Sequence, residues 1–233
     1  MNKNKKGKLI VLDGGDGSGK TTQAKLLVVR LKKRGISVKF FSFPRYEESF
    51  FGKLVARYLR GELGKIDQVS PYLIALAYAD DRAQTRVEME ELLAKGGVVL
   101  CDRYTTSSQA HLSANLPEAE REEFISWIDE LEYNQHKMPR PDKVIYLYVP
   151  WQVGRKITIQ GANSRQYSKT EDIHEKSNHH RIEAEKMYLK FVNEHRNWNL
   201  IDCLENGKLL PIDDIARKLD KLKIGRASCR ERV

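Results

Sequence analysis

The spacing of apolar positions changes several times along the chain, and each change marks an element. Leu9 to Leu12, within KLIVLD (Lys8 to Asp13), form an unbroken apolar run closed by Gly14 and Gly15, which predicts a buried strand. From Lys20 to Arg34 the apolar positions Ala24, Leu27, Val28 and Leu31 recur at helical spacing, and Gly35 marks the stop. VKFFSF (Val38 to Phe43) is β-branched and aromatic and predicts a second strand. Pro44 ends it, because proline has no N–H for the ladder. Phe51 to Leu59 predicts a short helix ahead of Gly61 and Gly64. Ser70 and Pro71 pair an N-cap with a proline at the first helical position, and predict a helix running to about Lys95, before Gly96 and Gly97. Three further strands are predicted at Val98 to Asp102, Lys143 to Val149 and Asn199 to Cys203. Helices are predicted at Glu118 to Leu131, Glu175 to Arg196 and Pro211 to Leu222. Gln160 to Asp172 is polar, with Gly, Asn and Ser, and reads as a loop.

Strands that alternate with helices imply a parallel sheet with helices on both faces. The expected fold is therefore three-layer α/β/α with a five-stranded parallel sheet. Ligands bind beyond the carboxyl ends of such strands. The informative residues should then follow Leu12, Phe43, Leu100 and Val149. No repeat or low-complexity linker divides the chain, so residues 1–223 are read as one domain.

Composition narrows the classes. The 233 residues are 40% hydrophobic, enough for a sizeable core and too apolar for a disordered chain. No apolar run approaches the ~18 residues of a membrane span, and the apolar stretch after the basic start is too short for a secretory signal. Cys101, Cys203 and Cys229 are widely spaced and fit neither a disulfide framework nor a zinc cluster, which suggests a reducing cytoplasm. The net charge of +9 is concentrated at the ends: Lys3, Lys5, Lys6 and Lys8 carry +4, and the last ten residues +2. The body is only mildly basic, and nucleic acid is not expected as a partner. The end of the chain, IGRASCRERV (Ile224 to Val233), resembles a translated sequencing adapter and is set apart as a non-native tail.

The strongest chemical signal is GGDGSGKT, Gly14 to Thr21, a G-x-x-x-x-G-K-[ST] phosphate loop in its proper place between strand and helix. Gly14, Gly15, Gly17 and Gly19 let the backbone curl, so that the N–H groups from here through Ser18 to Thr22 face phosphate oxygens. Lys20 would reach the β- and γ-phosphates of ATP, and the Thr21 hydroxyl would serve Mg²⁺. Asp16, inside this anion-binding loop, is either a solvated turn residue or an acceptor for a sugar hydroxyl. Arg45, in FPRY (Phe43 to Tyr46), can pair bidentately with a phosphate or sit in a surface salt bridge. Asp102 closes the third strand where a Mg²⁺-facing carboxylate belongs. Arg103 beside it either holds a transferring phosphoryl group or forms a structural pair with Asp102.

Tyr78 and Arg82 stand one helical turn apart, so they share a face that could stack and read a base; the alternative is a core tyrosine with a surface arginine. Arg155, Lys156, Arg165 and Lys169 make the region around 160–172 a candidate basic lid, or else an ordinary charged loop. His174, His179 and His180, in DIHEKSNHH, show no convincing ligand spacing and read as a solvated helix start.

Taken in order, LDGGDGSGKTTQ, FPRY, AYADDR, and CDRY with the TTS after it resemble thymidylate kinases, P-loop nucleoside monophosphate kinases, over about Lys8 to Leu222. The resemblance implies in-line phosphoryl transfer from ATP to dTMP with Mg²⁺. It implies that Asp16 accepts from the deoxyribose 3′-hydroxyl and that Arg45 and Arg103 hold the dTMP phosphate. It puts Tyr78 on the thymine face with Phe43 nearby, Arg82 at the base, Tyr104 where a ribose 2′-hydroxyl is crowded out, and Ser107 in the base pocket. It implies a homodimer packed through helices next to the acceptor site. Because Gly17 stands where some relatives have a catalytic arginine, it points to Arg165 in the lid, with Arg155 as alternative. Leu112 stands where many relatives place a glutamine on the thymine edge; either Gln109 compensates or the base preference is broader.

Overall fold

In a computed structural model, the structure describes residues 6–160, 172–174, 177–222 and 224. Residues 161–171, with Arg165 and most of the expected lid, and the tail from 225 onward lie outside the described residues. Five parallel strands form the central sheet: β1 (Lys8–Asp13), β2 (Val38–Ser42), β3 (Val98–Asp102), β4 (Lys143–Tyr148) and β5 (Trp198–Asp202), in the order β2-β3-β1-β4-β5. The expected three-layer α/β architecture is present. Leu12 and Ser42 both lie beside Asp102, so the carboxyl ends of β1, β2 and β3 finish level at one edge.

Burial follows position in the sheet. β3 is buried throughout and β1 after its first residue, as central strands covered on both faces must be. The outer strands β2 and β5 mix buried with exposed positions. Alternate residues serve opposite faces. Val11, Val99 and Tyr146 pack with Met187, Tyr188 and Phe191 of α8 (Asn178–Glu194). Ile10, Leu12, Leu100 and Ile145 pack with Leu27 and Leu31 of α1 (Lys20–Lys33) and with Ile215 and Leu219 of α9 (Ile212–Lys221). Each such buried side chain stabilises by about 1.5–3 kcal/mol.

Four helices build a wall beyond the strand ends: α2 (Phe50–Leu59), α3 (Pro71–Ala83), α5 (Thr105–Ser113) and α6 (Arg121–Asp129). They share a separate cluster that includes Val55, Tyr58, Ile74, Leu112 and Phe124.

The structure departs from the sequence expectations in several places. The long helix from Pro71 is two helices, α3 and α4 (Arg86–Ala94). At the break the Thr85 hydroxyl donates to the Arg82 carbonyl at 2.7 Å, a local bond that competes with helix continuation. The helix expected to end at Leu131 runs on in a wider π turn, Glu130–Gln135. Two helices were unforeseen. α5 is buried along nearly its whole length and is made of small and polar residues, so it has no apolar stripe. α7 (Trp151–Gln160) carries Gly154 and β-branched residues, which are weak helix formers. Asn206 and Gly207, both at positive φ, turn a two-residue hairpin of β6 (Leu204–Glu205) and β7 (Lys208–Leu209). Ile224, grouped with the foreign tail by sequence, packs into the cluster under α9.

Candidate functional site

A cavity of about 1220 Å³ opens where the carboxyl ends of β1, β2 and β3 face α3 and α5. It runs from the phosphate loop past Arg45, Asp102 and Arg103 to Tyr78, Ser107 and Leu112.

At one end the loop curls as its glycines allow. Gly14, Gly17 and Gly19 all have positive φ. Gly17 has a second reason to be glycine: a Cβ there would lie 2.5 Å from the Gly154 carbonyl of α7. The loop and α7 thus touch backbone to backbone. Lys20 folds back onto the loop, donating to the carbonyls of Gly14 at 3.0 Å and Gly15 at 2.8 Å. Burial, with Arg103 adding repulsion, pulls its pKa down to about 8. At the mouth of the loop the Thr21 hydroxyl donates to the Asp102 carboxylate at 2.5 Å. A hydroxyl and a carboxylate side by side at a strand end are the hard oxygen donors that suit Mg²⁺. Residues 81 positions apart meet at that contact.

Arg103 anchors the middle of the cavity. Its φ of 65° is a left-handed conformation uncommon for a side-chain-bearing residue. Its backbone N–H donates to the Leu12 carbonyl at 2.9 Å, which fixes that conformation. Its guanidinium donates to Asp16 at 2.6 Å and to His111 Nε2 at 3.0 Å. Burial would raise the Asp16 carboxyl, but Arg103 and Lys20 outweigh it and hold the group ionised below the usual carboxylate range. Arg103 therefore pairs with Asp16 rather than with its neighbour Asp102.

Asp13, which the sequence reading left without a role, is the hub behind these groups. Fully buried, it accepts from Thr106, Ser107 and Tyr188, each at 2.6 Å. It ties the end of β1 to α5 and α8. Its signal was available only as a polar residue closing an apolar strand.

Arg45 lines the cavity while Asp81 holds it from behind, by Nε at 3.1 Å and by its backbone N–H at 2.9 Å. The salt bridge expected as one alternative is present, though not at the surface, and the side chain also lines the cavity. Phe43 and Tyr78 also face the cavity. Arg82 borders it but is buried, and Glu132 takes its guanidinium bidentately at 2.5 and 2.7 Å. It is not a surface arginine, and its base-reading atoms are already engaged.

Tyr104 corrects an expectation. Its ring lies in the core against Phe43, its hydroxyl donates to the Pro139 carbonyl at 2.9 Å, and it is not among the residues that line the cavity. The chain reverses at Arg103, which sends the next side chain away from the ligand side. Gln109 also turns away, donating to Asp129 at 2.6 Å, and leaves Leu112 as the apolar residue of that wall.

The histidines also depart from the solvated helix start expected of them. His179 is exposed, but His174 and His180 are buried at 7% and 3% exposure. His111, from α5, joins them and lines the cavity.

Among known proteins, the sequence model of a family described as thymidylate kinase matches residues 12–210. A thymidylate kinase of Plasmodium falciparum is 33% identical, over 94% of this chain and 93% of its own length. A probable thymidylate kinase of Pyrococcus horikoshii is 34% identical, over 81% and 88%. A solved thymidylate kinase structure from Candida albicans superposes with a TM-score of 0.72 at 21% identity, covering 93% of this chain and 91% of that one.

Proposed function

The chain belongs to the thymidylate kinase family, and on that premise we propose that it phosphorylates dTMP to dTDP with ATP and Mg²⁺. The observation that carries this reading is the single cavity joining the phosphate loop to the Tyr78–Ser107–Leu112 wall, with Arg45 and Arg103 between them. Two phosphate-bearing ligands can meet there end to end.

ATP phosphates entering the loop take over Lys20, which leaves the Gly14 and Gly15 carbonyls. Thr21 and Asp102 would hold Mg²⁺, which would supply charge neutralisation for the phosphates during transfer. At the other end, Arg45 and Arg103 hold the acceptor phosphate, and Asp16, ionised beside Arg103, accepts from the sugar 3′-hydroxyl. Tyr78 and Phe43 cover the base. An oxygen of the acceptor phosphate attacks the γ-phosphorus in line, and the β–γ bridging oxygen leaves with ADP. The attacking oxygen is already anionic, so no strong general base is needed. Rate enhancement comes from positioning and from cations aimed at the transferring group. The lid arginine, Arg165 or Arg155, adds to those cations; Arg155 stands on α7 beside Gly154.

Residues 1–223 act as one kinase domain with a short lid; the sequence sets 224–233 apart as a non-native tail, although Ile224 at its start packs into the core. The chain works as a homodimer in the cytoplasm. No described helix is long and apolar enough to cross a membrane. Cys101 and Cys203 are buried free thiols, as a reducing compartment allows.

The deciding experiment is coupled ADP release with ATP, Mg²⁺ and, separately, dTMP, dUMP, dCMP, dGMP, dAMP and thymidine. Strong turnover with dTMP is expected. Turnover with a different acceptor alone moves the substrate, and none at all from a folded, ATP-binding chain overturns the reading.

A further inference from the structure

We propose that His111, His174 and His180 form a binding site for one divalent d-block cation of the Zn²⁺ class, separate from the Thr21–Asp102 pair. One ligand atom from each histidine lies within 4.8 Å of the others. In a tetrahedral site with bonds of ~2.05 Å, ligand nitrogens stand roughly 3.4 Å apart. His111 Nδ1 and His180 Nε2 are already 3.2 Å apart. Only His174 has to close in. Imidazole nitrogen suits Zn²⁺ and its neighbours far better than it suits Mg²⁺.

Protonation favours ligation at His174 and His180, while His111 has to change tautomer. Burial pushes His180 and His111 well below the usual histidine pKa, and His174 below it, so all three are neutral and carry a lone pair. His180 Nδ1 lies 2.7 Å from Asn115 Oδ1, to which it donates, so Nε2 is its ligand atom. His174 Nε2 meets the Tyr58 hydroxyl at 2.9 Å, which leaves Nδ1 as its ligand atom. Such outer partners fix ring orientation at metal sites. Asp16 and Asp172 favour positive charge at His174, while Arg103, Lys20 and Arg181 act the other way on the cluster. The fourth position faces the cavity, which His111 and His174 both line.

His111 makes the site a competitor of Arg103. Arg103 can only donate, so Nε2 of His111 accepts from it and the single imidazole proton sits on Nδ1. A metal on Nδ1 moves that proton to Nε2, where it faces a donor. Occupancy therefore breaks the Arg103–His111 bond. If the proposed function holds, the metal weakens acceptor binding and spares ATP.

The test is a titration of the chelator-stripped full chain with Co²⁺, followed by Zn²⁺. One Co²⁺ per chain is expected, with the visible ligand-field bands of a four-coordinate ion that Zn²⁺ abolishes. The bands should vanish in His174→Ala and in His180→Ala and persist in His195→Ala, which removes an exposed histidine outside the cluster. Asn115→Ala should weaken binding about 10-fold, a graded result that stands even if a ligand variant fails to fold. Absence of the bands in the wild type, or their survival in the His174→Ala/His180→Ala double variant, overturns the site. With turnover as a second readout, Zn²⁺ should raise KM for dTMP rather than for ATP; the reverse places the metal at Thr21–Asp102 and overturns the competition. The spectra use no turnover, so failure of the dTMP reading and failure of the metal site are separable.

Discussion

Lys20 ties the most local of motifs to a measurable property. Held on loop carbonyls with its pKa drawn down to about 8, it has room to regain a proton when phosphates arrive. ATP binding above pH 8 should therefore take up a proton, and affinity should fall as pH rises further, because the free enzyme's Lys20 is then neutral. Calorimetry in buffers of different ionisation enthalpy reads this directly; the same binding heat in every buffer would refute it. Lys20→Ala should lower kcat by at least about 10²–10³-fold, the scale of one lost transition-state donor, with the melting temperature little changed. Activity within a few fold of wild type would refute its role. The loop, Thr21 and Asp102 were readable because each lies at a motif position beside a strand. Arg103 to Asp16 and Ser107 to Asp13 were not, because those partners stand 87 and 94 residues apart. Arg82 shows the same limit: helical spacing placed it on a face with Tyr78, but Glu132, 50 residues on, decides that it is buried.

Elements were legible to the degree that they carry a stripe. β1 and β3 read as buried strands from unbroken apolar runs, whereas α5, buried along almost its whole length and built largely of Thr, Ser and Gln, offered no period to detect. Its position depends on Asp13 and on α8 rather than on its own pattern. Two contacts between elements make predictions. The Arg82–Glu132 pair joins α3 to the π turn with both partners at 2% exposure or less. Glu132→Ala leaves a buried guanidinium without its counter-ion and should cost about 3–5 kcal/mol, read as a lower denaturation midpoint in urea. An unchanged midpoint would show that water reaches the pair. Gly154→Ala tests the seat of the phosphate loop. The added Cβ would stand 2.4 Å from the Asp16 carbonyl, so α7 and the loop must separate. KM for ATP should rise by up to about 10²-fold, the scale of a small misplacement of reacting groups, with little loss of melting temperature.

At the scale of the molecule, alternation of strands and helices was enough to state a parallel sheet between two helical layers. The order β2-β3-β1-β4-β5 was not readable, because no local pattern says which buried strand lies beside which. That order matters for function: it sets β3 between β1 and β2, and so brings Asp102, Arg103 and Arg45 to the mouth of the phosphate loop. The outer surface carries a further consequence. Leu73 and Leu76, three residues apart on α3, are 68% and 39% exposed, and Val87 on α4 is 59% exposed. Large apolar side chains grouped near one helix face mark association surfaces more often than solvated ones. The opposite side of α3 presents Tyr78 to the cavity, so a partner docked on Leu73 and Leu76 would stiffen the wall that holds the acceptor. Under the homodimer proposal, Leu73→Glu with Leu76→Glu should halve the mass seen in sedimentation. It should also raise KM for dTMP more than KM for ATP, because the helix that loses its support touches only the acceptor end. A wild-type chain that sediments as a monomer would remove the dimer. A monomeric double variant with unchanged constants would keep the dimer and separate it from catalysis.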